Sequence, residues 1–268
     1  EDRSFEGGVL AAKTWADYIA YEMEHGVFDI RELSEFMRGL AAGGPTRSGH
    51  ATPAVIVTLP MIGDEEATVN ANAWQIKQVL ATGVHGILLC HAESPDAVRA
   101  FVKHCRYPFN RVGGDGLEEG RRGGGGQASA AAIWGVSVRN YLDLADPWPL
   151  NPKGELFLGL KIENKRALAN VEKTAAVSGI AFAEWGPGDM GMSLGFPDNH
   201  DEPFPPEMVA ARSRILAACK ANNLAFLNTI RTDDVIERIA EGVRIGAGPA
   251  GEAAAEIGRK HTGRTMPW

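Results

Sequence analysis

The sequence predicts an α/β protein, a (β/α)8 TIM barrel formed by residues 1–268 as a single domain. Three observations lead there. Short apolar runs alternate with longer amphipathic segments along the chain, the pattern of repeated strand–helix units around a parallel sheet. The length, 268 residues, is what one such barrel requires. The composition, 44% hydrophobic and 23% charged, supplies one large core rather than an extended or fibrous chain.

Taken in order, strands are expected over residues 18–22, 54–58, 86–90, 156–162, 180–184, 224–227 and 243–245. Amphipathic helices are expected over 30–40, 72–81, 95–104, 166–176, 206–221 and 232–241. Helix starts are marked by Ser94-Pro95, by Thr232-Asp233-Asp234, and by Pro206 at a first helical position. That makes seven strands. A helix over 6–15 leads into the first, so an eighth strand is expected to precede residue 1. Alternation alone would also fit a doubly wound sheet. Residues 113–126 break the rhythm with a glycine-rich stretch ending in Gly123–Gly126. It lacks the lysine spacing of a phosphate-binding loop and reads as a mobile loop.

Net charge and cysteines narrow the function classes. With a net charge of −7 and no basic run, neither nucleic acid nor an anionic membrane is expected as a partner. Cys90, Cys105 and Cys219 are scattered, with neither zinc spacing nor a disulfide framework, so a reducing, cytoplasmic setting is expected. No apolar run approaches the roughly 18 residues of a membrane span. The chain opens Glu-Asp-Arg without methionine, so the lack of a leader carries little weight.

The chemistry concentrates between residues 157 and 195. One predicted strand closes on Glu163 and the next on Gly186-Pro187-Gly188-Asp189. In a parallel barrel both carboxylates stand at C-terminal strand ends, where active sites form. Two convergent carboxylates repel unless a cation neutralises them, and hard oxygen donors suit Mg2+ or Mn2+. Gly186 and Gly188 permit close backbone approach, and their N–H groups suit a substrate carboxylate. Taken singly, each carboxylate also reads as a helix cap or a loop acid.

These residues carry a resemblance. Ile162-Glu163 with Ala167-Leu168-Ala169-Asn170-Val171, and Gly186 through Gly195, resemble the HpcH/HpaI aldolase and citrate lyase family. Tyr21-Glu22-Met23-Glu24-His25-Gly26 is similar to its Asp-x-Glu-His-Gly segment, and Cys105-Arg106-Tyr107-Pro108-Phe109 to its Arg-Tyr-Pro-Pro segment. The resemblance implies a barrel of the phosphoenolpyruvate/pyruvate-domain type and a class II aldolase using a divalent cation, Mg2+, Mn2+ or Co2+. It implies Glu163 and Asp189 as metal ligands, His25 as the acid–base residue and Glu22 in the family's aspartate position. It further implies a small-molecule substrate with a pyruvate-like half and a homo-oligomer, a hexamer, with residues 250–268 exchanged between subunits.

The departures are specific. Thr58 stands where the family carries an arginine over the developing enolate oxygen, and Ala81 where it carries an acid. A hydroxyl cannot replace a guanidinium there. Lys161 shares a strand face with Glu163 by period-two alternation, which places an ammonium at the site. His91, at the end of the 86–90 strand, would shape the pocket, donate a proton or bind metal. Trp185 is expected to wall the pocket, with Trp134 and Trp148 near it. The expectation is a metal-dependent retro-aldol lyase. Its alternatives are a CoA-thioester lyase of the citrate lyase β type and a catalytically lapsed metal-binding barrel.

Overall fold

In the computed structural model, which describes residues 2–114, 116–199 and 201–268, the sheet is parallel throughout. Asp115, inside the glycine-rich stretch, lies outside the described residues. The chain runs α1 (Phe5–Ala11), β1 (Ile19–Glu22), α2 (Ile30–Ala42), β2 (Val55–Ile62), α3 (Glu66–Ala81), β3 (Gly86–Cys90) and α4 (Pro95–Cys105). After the glycine-rich segment come α5 (Gln127–Trp134), α6 (Val138–Leu144), β4 (Pro147–Trp148), β5 (Leu156–Ile162), α7 (Lys165–Ala169) and α8 (Val171–Ala175). The last third holds β6 (Phe182–Trp185), α9 (Pro187–Leu194), α10 (Pro206–Ala221), β7 (Ala225–Thr229), α11 (Val235–Glu241), β8 (Val243–Ala247) and α12 (Gly251–Thr262).

The strand order is β1-β2-β3-β5-β6-β7-β8, with the two-residue β4 pairing onto β5. Each main strand pairs with its sequence neighbour, which is barrel rather than doubly wound order. Among the described residues β8 and β1 are not paired, so the seam lies between the last and first strands.

Alternation along the strands builds two cores. Outward-facing Val55, Val57, Leu158, Leu160, Ala183 and Phe226 pack against the helices, joined by Leu33, Met37, Ile76, Phe101 and Ile215. Inward-facing Leu88, Phe182 and Leu227, with Tyr18, Ile56 and Ile245, fill the barrel interior. Gly159 makes room for this filling: a Cβ there would lie 2.2 Å from the Phe182 ring. The interior is a packed floor on which the C-terminal strand ends stand.

Pro206 opens α10 as expected, whereas Ser94 and Asp234 take the N-cap positions of α4 and α11 without a side-chain cap bond. Asp29 accepts N–H bonds from Arg31 and Glu32 at the start of α2, and Asn164 accepts from Arg166 and Ala167 at the start of α7. The expected helix over 166–176 is two short helices, because Asn170 caps the first and opens the second. The helix expected from residue 72 begins a turn and a half earlier, at Glu66. Within the glycine-rich segment, the backbone N–H groups of Arg121 and Arg122 donate to Lys103 and Arg106 carbonyls at 2.8 Å each.

Candidate active site

Glu163 follows β5 directly and is fully buried. Its Oε1 accepts the His91 backbone N–H at 2.9 Å, which ties the end of β5 to the end of β3. Its Oε2 lies 3.1 Å from Lys161 Nζ. The same ammonium donates to Glu24 Oε2 at 2.6 Å, so Lys161 bridges the ends of β5 and β1. Burial works against the Lys161 charge, yet Glu163, Glu24 and Glu184 together hold its pKa well above the usual lysine range. Burial pushes the Glu163 carboxyl up, with Glu24 acting in the same direction and the Lys161 ammonium opposing.

Glu24 is the hub. Its carboxylate gathers with donor atoms of His91 and Glu163, all within 4.8 Å of one another, and separately with His25 and Asp189. His25 Nε2 lies 3.6 Å from Glu24 and 4.0 Å from Asp189 Oδ2, and its side chain is 65% exposed. Asp189 sits in the first turn of α9, on which Gly186 is the N-cap. The structure therefore brings Glu163, Asp189, His25, Lys161 and His91 to one mouth. Glu163 and Asp189 meet through Glu24 rather than in one ligand set. A Cβ on Gly186 would come within 3.0 Å of Glu163 Oε2, so the close approach of this turn needs glycine. The N–H groups of Gly188 and Asp189 belong to a helix's first turn, where backbone donors lack intrahelical partners.

A divalent cation fits this set of groups. Glu24 Oε1 is buried and without a hydrogen-bond partner among the described residues, and Glu163 Oε2 is buried in ion-pair contact with Lys161 Nζ at 3.1 Å. A buried carboxylate oxygen without a partner is costly unless something positive meets it. One ammonium against Glu24, Glu163 and Asp189 leaves the mouth negative, and hard oxygen donors are what Mg2+ or Mn2+ prefers.

Other residues stand elsewhere than the sequence suggested. Glu22 belongs to neither of the two clusters around Glu24. Its Oε1 accepts the backbone N–H groups of Glu24 and His25 and the Thr58 hydroxyl. Burial alone would raise the Glu22 pKa, but those three bonds bring it below the ordinary range. Thr58 also accepts the Met23 N–H at 3.2 Å. Glu22 and Thr58 thus shape the turn that carries Glu24 and His25, and Thr58 is not a free substrate contact. Trp185 is no pocket wall: it is 2% exposed, in the outer core, edge-on to Phe204. Alternation explains this, because the neighbouring Glu184 takes the inward face. Trp134 and Trp148 lie at the opposite, N-terminal end of the barrel. Trp134 stacks on His85, just before β3, and Trp148 stacks on Phe157 at the start of β5.

Glu24 and Glu184 are the site groups that sequence reasoning passed over. Alternation from Glu22 marks Glu24, and alternation from Phe182 marks Glu184, which is in register with Lys161. Asn164 is a third: it donates to Glu93 at 2.9 Å, and Arg166 clamps the same carboxylate at 2.7 and 2.9 Å.

Burial pushes the Glu184 pKa from 4.5 up to about 7, with Glu163 and Glu24 adding and Lys161 opposing. The native state therefore holds this proton more tightly than the unfolded chain does. Stability is complete below about pH 4.5 and falls as the pH rises towards 7, by at most about 3 kcal/mol. Glu184→Gln should remove that decline. In urea unfolding with chelator present, the variant is expected to match the parent near pH 5 and exceed it at pH 8. Equal pH slopes for the two proteins would refute the assignment.

Comparisons with known proteins agree with this geometry. The family model described as HpcH/HpaI aldolase/citrate lyase matches residues 11–247. The 2-keto-3-deoxy-L-rhamnonate aldolase of Escherichia coli O17:K52:H18 is 29% identical over 213 residues, covering 79% of this chain and 67% of that one. An HpcH/HpaI aldolase/citrate lyase family protein from Burkholderia cenocepacia superposes with a TM-score of 0.71 at 23% identity, covering 97% and 90% of the two chains. The citrate lyase β subunit of Mycobacterium tuberculosis, solved with oxaloacetate and magnesium, has a TM-score of 0.57 at 15% identity, covering 97% and 92%. With the family model spanning most of the barrel and the carboxylates it brings together, the chain belongs to the HpcH/HpaI aldolase/citrate lyase family.

Proposed function

We propose that this chain is a metal-dependent carbon–carbon lyase that performs retro-aldol cleavage, releasing a 2-oxo acid such as pyruvate and an aldehyde. The observation that carries the reading is the gathering of the buried carboxylates of Glu24 and Glu163, the former with an unpartnered oxygen, with Asp189 and His25 beside them. Glu163 and Asp189 would hold the cation, Mg2+ or Mn2+, with Glu24 between them. When bound, a divalent cation supplies Lewis acidity to the keto oxygen of a 2-oxo acid.

The remaining work falls to the chain's own residues. The first-turn N–H groups of α9 bind the substrate carboxylate. His25, exposed at the mouth, accepts the proton of the hydroxyl whose carbon loses its C–C bond, a task suited to an imidazole near neutral pH. Lys161 places a fixed positive charge on the barrel floor, compensating in part for the arginine replaced by Thr58. The buried free cysteines suit a reducing, cytoplasmic setting, and the family reading implies a homo-oligomer, up to a hexamer.

Oxaloacetate decarboxylation tests the core of this reading, because it requires only stabilisation of the pyruvate enolate. Chelator-stripped protein should release pyruvate only after Mg2+ or Mn2+ is returned, and Asp189→Ala should abolish that release. Pyruvate release that ignores both metal and Asp189 would sink the reading. Turnover of acyl-CoA in place of 2-oxo acids would favour the thioester-lyase alternative.

A further inference from the structure

Glu24, His91 and Glu163 look at first like a cation's ligand set. The hydrogen bonds behind His91 argue otherwise. Asn164 Oδ1 is committed to capping α7, accepting from Arg166 N and Ala167 N at 2.9 Å each. The atom it turns toward its other neighbours is therefore the amide nitrogen. That nitrogen donates to Glu93 Oε1 at 2.9 Å and meets His91 Nδ1 at 3.0 Å. An amide nitrogen only donates, so Nδ1 must accept. The neutral ring then carries its hydrogen on Nε2. Nδ1 also lies 3.4 Å from Glu163 Oε1, a longer contact than the 3.0 Å to the amide nitrogen.

Such a ring is unable to offer Nε2 as a lone-pair donor. It presents an N–H. Glu24 Oε1 is 3.7 Å away, beyond hydrogen-bond reach, and the His91 side chain is 26% exposed. The backbone of His91 is left-handed, at φ 46, a conformation uncommon outside glycine. We propose that His91, as its Nε2–H tautomer, is a substrate-binding donor to the planar 2-oxo acid half, taking up part of what the family arginine does, and is not a metal ligand. This rests on the 2-oxo acid reading above.

Oxalate, a planar dianion shaped like the enolate of pyruvate, serves as probe with Mg2+. Long-range 1H–15N spectra of the Mg2+ form are expected to show the His91 proton on Nε2. His91→Met should weaken oxalate binding by about 10- to 100-fold, the range for a lost hydrogen bond to a charged group, and keep Mg2+ affinity within about twofold. A large loss of Mg2+ affinity in His91→Met would make His91 a ligand and overturn the proposal. So would an Nδ1–H tautomer in the parent, or unchanged oxalate affinity in His91→Met. A parent that binds Mg2+ but no oxalate would overturn the underlying 2-oxo acid reading, and this proposal with it.

Discussion

Glu163→Gln is expected to lower metal-dependent turnover about a thousandfold or more, with a thermal unfolding midpoint at or above the parent's. The two halves of this expectation come from one fact: Glu163 is a fully buried carboxylate. Glutamine keeps the shape and an oxygen to accept the His91 N–H, but gives up the charge that would hold a cation. Lewis-acid stabilisation is worth several kcal/mol in a transition state, and about 4 kcal/mol corresponds to a thousandfold in rate. In the empty site the same charge is a burden, because burial and Glu24 act against it. Lys161 retains Glu24 and Glu184 as partners, so its own charge is not stranded. Oxaloacetate decarboxylation rates and calorimetric midpoints decide the matter. Activity within tenfold of the parent would remove Glu163 from the metal set, and a midpoint lowered by more than about 5 °C would make it a structural anchor.

The largest expected effect on stability lies away from the mouth. Arg106 and Asp146 are buried, 3% and 0% exposed, and form a two-pronged pair at 2.7 and 2.8 Å. The same guanidinium donates to the Val112 carbonyl at 2.8 Å, pinning the exit of α4 to the entry of the glycine-rich segment and to the turn before β4. Arg106→Ala strands a buried carboxylate, a loss of about 3–5 kcal/mol, or roughly 10 °C in midpoint for a chain of this size. Removing both charges with shape-matched apolar residues, Arg106→Met with Asp146→Leu, should recover most of it. A single variant as stable as the parent would show that solvent reaches Asp146 after all.

The sequence and the structure agree where periodicity is strong. The strands Gly86–Cys90 and Leu156–Ile162 and the helix Pro206–Ala221 coincide with their expected bounds, because each has a sharp change in pattern at both ends. Alternation also placed Lys161 and Glu163 on one face, and the 3.1 Å contact between them bears this out. The same rule, applied to Trp185, would have turned it outward and put Glu184 inside. Proximity to a glycine turn was a weaker guide than strand parity. Glu22 was read from its place in a motif, yet its carboxylate is occupied by backbone N–H groups, a local bond pattern that a motif does not reveal. The Arg106–Asp146 pair joins positions forty residues apart, and nothing in the local sequence announces it.

The mouth draws its groups from two parts of the sheet. Lys161 and Glu163 stand on β5, which is hydrogen-bonded on both flanks, and Asp189 follows β6, which is held in the same way. Glu22, Glu24 and His25 stand on or just beyond β1, whose described pairing is to β2 alone. The two flanks of the mouth are joined by side chains as well as through the sheet, because Lys161 Nζ reaches from β5 to Glu24 at 2.6 Å. One ammonium is thus a crosslink between the strand that leads to the acid–base imidazole and the strand that leads to Glu163.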